Sequence, residues 1–120
     1  MKIKGKERLF EFNVQSHEEV SRMCRDNDIA NLSEIMGGTL ANADTIINIA
    51  IALNKGYEDH RAYENPSYHA EYLEKEDFRF LNMAEMKLLE SEVLKAMTIG
   101  NKTEIETEEP KKKEEKTEDR

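Results

Sequence analysis

The run Ile46–Leu53 constrains this chain more than any other part of its sequence. Within it only Asn48 is polar, so the segment is apolar on almost every side, and a helix of this kind is normally buried by several neighbours. Its isoleucines would also suit a strand, but four alanines, the length of the segment and Gly56 as a C-terminal stop favour a helix. We therefore predict a buried central helix over Thr39–Asn54. Asn48 either finds a local hydrogen bond or pairs across a helix–helix interface and fixes its register. The sequence leaves a homo-oligomer open.

The last twenty residues lack the apolar side chains that a folded segment needs. Asn101–Arg120 contains one large apolar residue, Ile105, and no aromatic residue. Such a segment cannot bury enough apolar surface to offset the entropy of ordering it. The sequence therefore predicts a disordered, charged C-terminal tail at Asn101–Arg120. Met1–Gly100 is long enough for one small, mainly α-helical domain.

The charge balance narrows the classes of partner. Charged residues make up 37% of the sequence and the formal net charge is -8. An acidic body opposes binding to phosphate backbones, which depends on Lys and Arg, so no nucleic-acid partner is expected. No apolar run approaches the roughly 20 residues needed to span a bilayer, and the N-terminus lacks the apolar stretch of a signal peptide. A single cysteine excludes an internal disulfide and fits a reducing compartment, so we expect a cytoplasmic protein.

The N-terminal residues predict β-structure. Phe10, Phe12 and Val14 alternate with polar residues, which predicts a strand over Leu9–Val14 with one apolar face. A turn near Gly5 adds a short hairpin partner, with the lysines at positions 2, 4 and 6 on the solvent side. Because an isolated hairpin is marginal in water, it has to pack against helices.

Capping patterns predict the helices that follow the hairpin. Ser16 and Glu19 match an S-x-x-E capping box in front of a helix that runs to about Arg25. Asp28 is predicted to cap a second short helix, which ends at the glycine pair 37–38.

The second half of the chain contains shorter helical signals around a proline. A helical turn over Glu58–Glu64 precedes a break at Asn65-Pro66, and a second short helix is predicted near Lys75–Leu81. A last helix, Met83–Met97, is capped by the asparagine and glutamate at positions 82 and 85. Gly100 is predicted to close it.

No pattern for catalysis, metal binding or cofactor binding is present in the sequence. The three histidines are far apart and lack ligand spacings such as H-E-x-x-H. Cys24 takes an apolar position on a short helix, where a free cysteine packs as a small hydrophobe. Acidic pairs fall in predicted first turns of helices, where they complement the helix dipole. The segment Ser16–Met36 has the outline of a helix-turn-helix, but its second helix offers no Arg or Lys to DNA. We therefore expect a non-enzymatic protein.

Six of the eight aromatic residues lie between positions 57 and 82. They either cover a small core or form a partner surface, because tyrosine is enriched at protein interfaces. Methionines of the last helix fit both interpretations. The candidate partner-binding residues are Tyr57, Tyr63, Tyr68, Tyr72 and Met86.

In its order of segments, the chain resembles the small tail assembly chaperones of tailed bacteriophages and prophages of Gram-positive bacteria. The resemblance covers most of the chain. It rests on the K-G-K-E start, the Ile/Ala-rich helix that ends in L-N-K-G-Y-E-D, the aromatic stretch around a proline, the last helix and the P-K-K-K-E-E tail.

The resemblance implies a non-enzymatic function without catalytic residues. A chaperone of this family associates in the cytoplasm with the long, apolar tape-measure protein, keeps it soluble and helps tail-tube subunits assemble around it, without staying in the mature virion. Many members are also made in a longer, frameshifted form, and Lys111–Lys113 is the kind of run that slippery codons encode. The residues alone also leave open a small regulatory interaction module, such as an antitoxin or an anti-activator, and less readily a DNA-binding regulator.

Overall fold

The computed structural model describes residues 1–35 and 43–106, and this part of the chain is mainly helical. The elements are β1 (Lys2–Ile3), β2 (Lys6–Glu7), α1 (Val14–Arg22), α2 (Leu32–Ile35), α3 (Ala43–Glu64) and α4 (Met83–Glu106), with 3-10 turns at Arg25–Asn27, Ile29–Asn31 and Lys75–Phe78. The predicted fold class is confirmed. The glycine pair 37–38, the start of the predicted central helix at 39–42 and the tail residues 107–120 lie outside the described residues.

A short N-terminal hairpin forms at the predicted turn near Gly5, but its second strand is Lys6–Glu7 and not the predicted strand over Leu9–Val14. β1 and β2 are antiparallel with Ile3 opposite Lys6, and the turn between them places Lys4 and Gly5 at φ 56° and 77°. Positive φ at both central residues matches the twist of a two-residue hairpin. Ile3 is buried in the core, whereas the lysines at positions 2, 4 and 6 are exposed.

The core lies between α3 and α4 and is closed by α1 and the hairpin. Its fully buried apolar side chains include Ile3, Val20, Ile46, Ile49, Leu53, Leu73, Leu89 and Val93. The predicted burial of the central helix is thus confirmed for its described part. Ile47 and Ile51 lie half-buried at the edge of this core.

Both glycines that were predicted to end helices lie inside them. α3 continues through Gly56 to Glu64, and α4 continues through Gly100 to Glu106, six residues into the predicted tail. A Cβ at Gly56 would lie 3.0 Å from Asn13 Oδ1, and one at Gly100 would lie 2.6 Å from the carbonyl oxygen of Phe12. The two glycines therefore allow other backbone segments to approach α3 and α4 closely.

The segment that approaches them is Leu9–Asn13, which we call the strap. It was predicted as part of a strand over Leu9–Val14, but it lies outside the sheet, and Val14 already belongs to α1. The Glu11 N–H donates to the Leu53 carbonyl at 3.0 Å, and the Glu11 carbonyl accepts from Ser16 Oγ at 2.8 Å. One edge of the strap is thereby attached to α3 and α1.

Asn54 of α3 also holds the strap. Its side chain is fully buried, Nδ2 donates to the Leu9 carbonyl at 3.1 Å, and Oδ1 accepts from the Leu73 N–H at 3.1 Å. A single amide therefore satisfies backbone groups of two separate segments. Asn48, the polar residue that the sequence singled out, instead reaches Asp44 on its own helix at 3.5 Å.

The first helix cap was predicted one turn too late. Asn13 is the N-cap of α1, its side chain accepts from the Ser16 N–H at 3.1 Å, and Ser16 Oγ accepts from the Asn13 N–H at 2.8 Å. Ser16 is therefore the third residue of the helix, and α1 ends at Arg22 rather than near Arg25. Asn and Ser are both favoured N-cap residues, so the sequence alone does not show whether Asn13 or Ser16 is the N-cap of α1.

The other caps and the proline break agree with the predictions. Asp28 accepts from the Ala30 N–H at 3.0 Å, and the Asn82–Glu85 pair caps α4 through bonds of 2.8 and 2.9 Å. α3 ends at Glu64, directly before Asn65-Pro66, although the predicted turn over 58–64 is the end of α3 rather than a separate element. The second short helix is a 3-10 turn, Lys75–Phe78.

Candidate partner-binding surface

Tyr57 and Tyr68 both contact Arg61 near the end of α3. The guanidinium carbon is 5.6 Å from the ring centroid of Tyr57 and 5.7 Å from that of Tyr68, within cation–π distance. Both tyrosines are half-buried. Because Tyr57 and Arg61 both belong to α3, the contact of the Tyr68 ring with Arg61 is the one that attaches the loop after Pro66 to α3. The partial burial of both rings favours the alternative in which these two tyrosines cover the core.

A buried carboxylate fixes the same loop. Glu58 is only 6% exposed, and its Oε1 accepts from the Tyr68 hydroxyl at 2.9 Å and from the Glu71 N–H at 3.0 Å. Burial, together with the hydrogen bond to Glu58, raises the pKa of the Tyr68 phenol. This phenol therefore stays protonated and acts as a structural donor.

Tyr72 is attached to α3 through Asp59. Its hydroxyl donates to Asp59 Oδ1, and Gln15 of α1 donates to Oδ2 of the same carboxylate at 2.6 Å. The hydrogen bond to Asp59 and the accompanying desolvation raise the pKa of the Tyr72 phenol. Lys55 Nζ lies 5.9 Å from the ring centroid, so much of the exposed ring faces a cation of its own chain.

Tyr63 differs from the other three tyrosines. Its side chain is 87% exposed, and it lines one open groove together with Val14, which is 79% exposed. We call this the Tyr63 groove. It has a volume of about 440 Å³ and is lined by Glu11, Asn13, Val14, Gln15, Gly56, Asp59, His60 and Tyr63. Two large apolar side chains thus face solvent side by side across the junction of α1 and α3.

Met86 does not belong to an accessible surface. It is 5% exposed and packs in the core with the buried face of α4, so its assignment as a partner contact is corrected. A methionine at this position of the helix faces α3 because it shares the face of Leu89 and Val93. Among the described side chains of α4, the large apolar ones that are exposed are instead Met83, Leu88, Leu94 and Ile99.

A second apolar depression separates the strap from α4, and we call it the strap cleft. Its volume is about 270 Å³, and its lining consists of Phe10, Glu11, Phe12, Ala96, Ile99 and Gly100. Ile99 is 53% exposed, and the two phenylalanines are half-buried. Glu11 is the one charged residue in this lining, and its carboxylate is already engaged by His60. The sequence predicted neither this cleft nor the strap beside it, although the Phe10–Phe12 alternation marked the residues.

His60 connects the strap to α3 at the rim of the Tyr63 groove. Its Nδ1 lies 2.8 Å from Glu11 Oε2, and its Nε2 lies 3.1 Å from Glu64 Oε2. The hydrogen bond and charge of Glu11, aided by Glu64, raise the pKa of the His60 imidazole, against a smaller opposing effect of desolvation. The protonated His60 thus forms an ion-pair network with Glu11 of the strap and Glu64 of α3.

The single cysteine is buried. Cys24 is 5% exposed, and burial raises the pKa of its thiol, with Asp28 and Glu34 adding to the effect. A thiol that stays protonated is a poor nucleophile. Within residues 1–35 and 43–106, the structure brings together no group of three His, Cys, Asp or Glu side chains that could hold a metal ion. No described helix is both long and apolar enough to cross a bilayer.

Comparison with known proteins gives no family for this chain. It matches no protein-family model, no curated protein and no solved structure.

Proposed function

We propose that this chain is a non-enzymatic tail assembly chaperone, which binds an apolar tape-measure protein, keeps it soluble and promotes assembly of the tail tube. The proposal joins the resemblance in segment order to the surface of the described domain. The observation that carries it is the pair of apolar depressions on either side of the strap, the Tyr63 groove and the strap cleft.

These depressions suit an apolar client. Tyr63 and Val14 expose most of their side chains without covering one another, and Ile99 exposes about half. Apolar surface of this kind, in a chain that is 37% charged, is typical of a protein-binding site. The net charge of -8 keeps a complex with an insoluble client dispersed by mutual repulsion.

Gene order gives the least expensive test. A tail assembly chaperone of this type is expected between a tail-tube gene and a very long gene for the tape-measure protein. A neighbourhood with neither gene would favour the regulatory-module alternative.

The biochemical test is co-expression with an apolar, helical segment of the tape-measure protein from the same genome. We expect the segment to precipitate alone and to co-purify with this chain. Tyr63→Ser should reduce the recovered client, because it removes the most exposed apolar residue of the groove. Phe80→Ser is the matched control, since Phe80 is 90% exposed but lies in neither depression.

The complex should persist as salt is raised, because apolar burial is not screened, whereas a charge-driven complex would dissociate. Failure to recover any client with the unmodified chain, or equal losses for the two serine variants, would contradict the proposal.

A further inference from the structure

The turn that leads into α4 holds a phenylalanine in solvent. Phe78 is buried in the core, whereas Phe80, two residues later, is 90% exposed. The Leu81 N–H donates to the Phe78 carbonyl at 3.2 Å, which closes a hydrogen-bonded backbone turn around Phe80. The exposed ring therefore projects from a backbone turn whose base is anchored in the core.

Phe80 lines an open pocket, which we call the Phe80 pocket. Its volume is about 480 Å³, and pockets of roughly 300–1,000 Å³ are typical of binding sites. Phe80 and the half-buried Leu81 form its apolar wall, and Met83, which begins α4, is 59% exposed. A single exposed apolar side chain is common on a protein surface, but one that lines a concave site beside a second apolar side chain is a candidate contact for a partner.

The rim of the Phe80 pocket is acidic. Among the described residues that line it, Lys4 is basic and four are acidic: Glu74, Glu76, Asp77 and Glu85. Lys4 pairs with Asp77 at 3.1 Å, and Arg79, which lies over the Phe80 ring, reaches Glu76 at 3.4 Å. The carboxylates of Glu74 and Glu85 accept from backbone N–H groups as helix caps, which leaves their charge in place. Four carboxylates against two cations give this rim an excess of two negative charges.

We infer that the Phe80 pocket binds a basic, amphipathic segment of a second protein, with an apolar side chain against Phe80 and Leu81 and a lysine or arginine side chain against the acidic rim. This partner is distinct from the apolar client of the proposed function, because Phe80 lines neither the Tyr63 groove nor the strap cleft. Contact with the exposed ring would supply affinity, and the rim would select for positive charge.

Charge complementarity selects this occupant. A neutral apolar segment would cover the ring but would desolvate the nearby carboxylates without giving them a partner, which costs free energy. An acidic segment would be repelled, as would a second copy of this chain, whose formal net charge is -8. The phosphates of a nucleic acid carry the same sign of charge as the rim. A basic segment of a separate protein both covers the ring and neutralises the rim.

Titration of the full chain with a helical peptide tests the inference. The peptide carries leucines and lysines on one face and one terminal tryptophan, which reports binding by fluorescence anisotropy because this chain contains no tryptophan. Phe80→Ser should weaken binding about tenfold or more, the scale of one phenylalanine that is no longer buried. Tyr63→Ser, at a similarly exposed aromatic residue outside the pocket, should leave the Kd unchanged.

A second pair of variants tests the rim. Glu76→Gln should weaken binding about two- to fivefold at low salt, which is the usual range for one exposed ion pair. Glu18→Gln on α1 is the matched control, because the Glu18 and Glu76 side chains are 65% and 76% exposed and each has an arginine neighbour on its own segment. It removes the same charge away from the pocket and should leave the Kd unchanged.

Two peptide variants separate the apolar contact from the charge. A peptide with serine in place of leucine should not bind. A peptide with glutamine in place of lysine should bind more weakly at low salt, and its disadvantage should vanish near 1 M salt, where the Debye length is about 3 Å.

The inference is overturned by equal effects of the two serine variants, by equal effects of the two glutamine variants, or by equal affinity for the lysine and glutamine peptides at low salt. Self-association of the full chain that Phe80→Ser abolishes would assign the pocket to a second copy instead. Tighter peptide binding after Lys111–Lys113 are replaced by glutamine would assign it to the chain's own tail. Client recovery depends on Tyr63 and peptide binding on Phe80, so either proposal can fail while the other stands.

Discussion

Replacing Gly100 by alanine should destabilise the domain, although helix propensity alone predicts the opposite. Gly100 lies inside α4, where alanine is favoured over glycine by about 0.8–1 kcal/mol. The new Cβ would lie 2.6 Å from the carbonyl oxygen of Phe12 and 3.1 Å from the Phe12 Cβ. Because the nearer atom belongs to the backbone, no side-chain rotation relieves the contact, and the strap or α4 has to move.

The size of the effect follows from the two opposing contributions. Forcing extra atoms into a packed site costs about 1–3 kcal/mol, and an approach this close to a backbone atom falls toward the upper end. After the propensity gain, the expected net loss is about 1–2 kcal/mol. For a domain of this size, each kcal/mol lowers the melting temperature by about 4–8 °C.

Thermal and urea unfolding of the full chain measure this loss. Thr98→Ala, at an exposed position two residues earlier on α4, is the control in which propensity acts without a steric contact, and its stability should hold or rise slightly. In Gly100→Ala, exchange of the Glu11 N–H should also accelerate as the strap loosens. A melting temperature equal to or above that of the unmodified chain would refute the close-approach argument.

Three further predictions concern residues that hold the core and the strap. Asn54→Ala should cost about 2 kcal/mol or more in urea unfolding, because it leaves the buried Leu73 N–H and the part-buried Leu9 carbonyl without their partner, whereas Asn48→Ala should stay within about 0.5 kcal/mol. Ile49→Ala should cost about 2–5 kcal/mol, the usual range for a fully buried isoleucine, and a surface-like value would contradict the assigned core. The raised pKa of His60 means that its pairing with Glu11 contributes stability fully below the unfolded pKa near 6.5, and this contribution is lost as pH rises through the folded pKa. His60→Gln should remove that part of the pH dependence, and an unchanged pH profile would refute the role of the pair.

The sequence correctly predicted a turn, two helix caps and a helix end that depend only on residues adjacent in the chain. The Gly5 turn, the caps at Asp28 and Asn82, and the break at Asn65-Pro66 each need only neighbouring residues, and each agrees with the structure. The apolar residues of α4 at positions 86, 89, 93, 96 and 97 follow a helical period in the sequence. The same period predicts that Met86 faces the core, and the structure buries it there. A buried side chain cannot contact a partner, so the helical period already contradicts the assignment of Met86 to a partner surface.

The errors occur where tertiary contacts decide the outcome. A glycine after an apolar helix ordinarily signals its end, but Gly56 and Gly100 are instead positions where the strap and the start of α1 approach the helices closely. Nothing in a single sequence separates these two uses of glycine. The buried amide of Asn54 was missed for a related reason, since its partners, Leu9 and Leu73, are 45 and 19 residues away along the chain. Among the five candidate partner-binding residues, only Tyr63 is largely exposed and is not held by a hydrogen bond or a cation–π contact within the described part of the chain.

The stability of the domain depends on the strap being held from two sides. The contacts of Asn54 and Leu53 hold one edge of it against α3, and the Phe12 carbonyl lies against Gly100 of α4. In Gly100→Ala the displaced Phe12 should therefore weaken the fold, whereas Ile99→Lys, at a half-exposed side chain, should leave the fold intact. The two variants together separate the close approach at Gly100 from the exposed surface beside it.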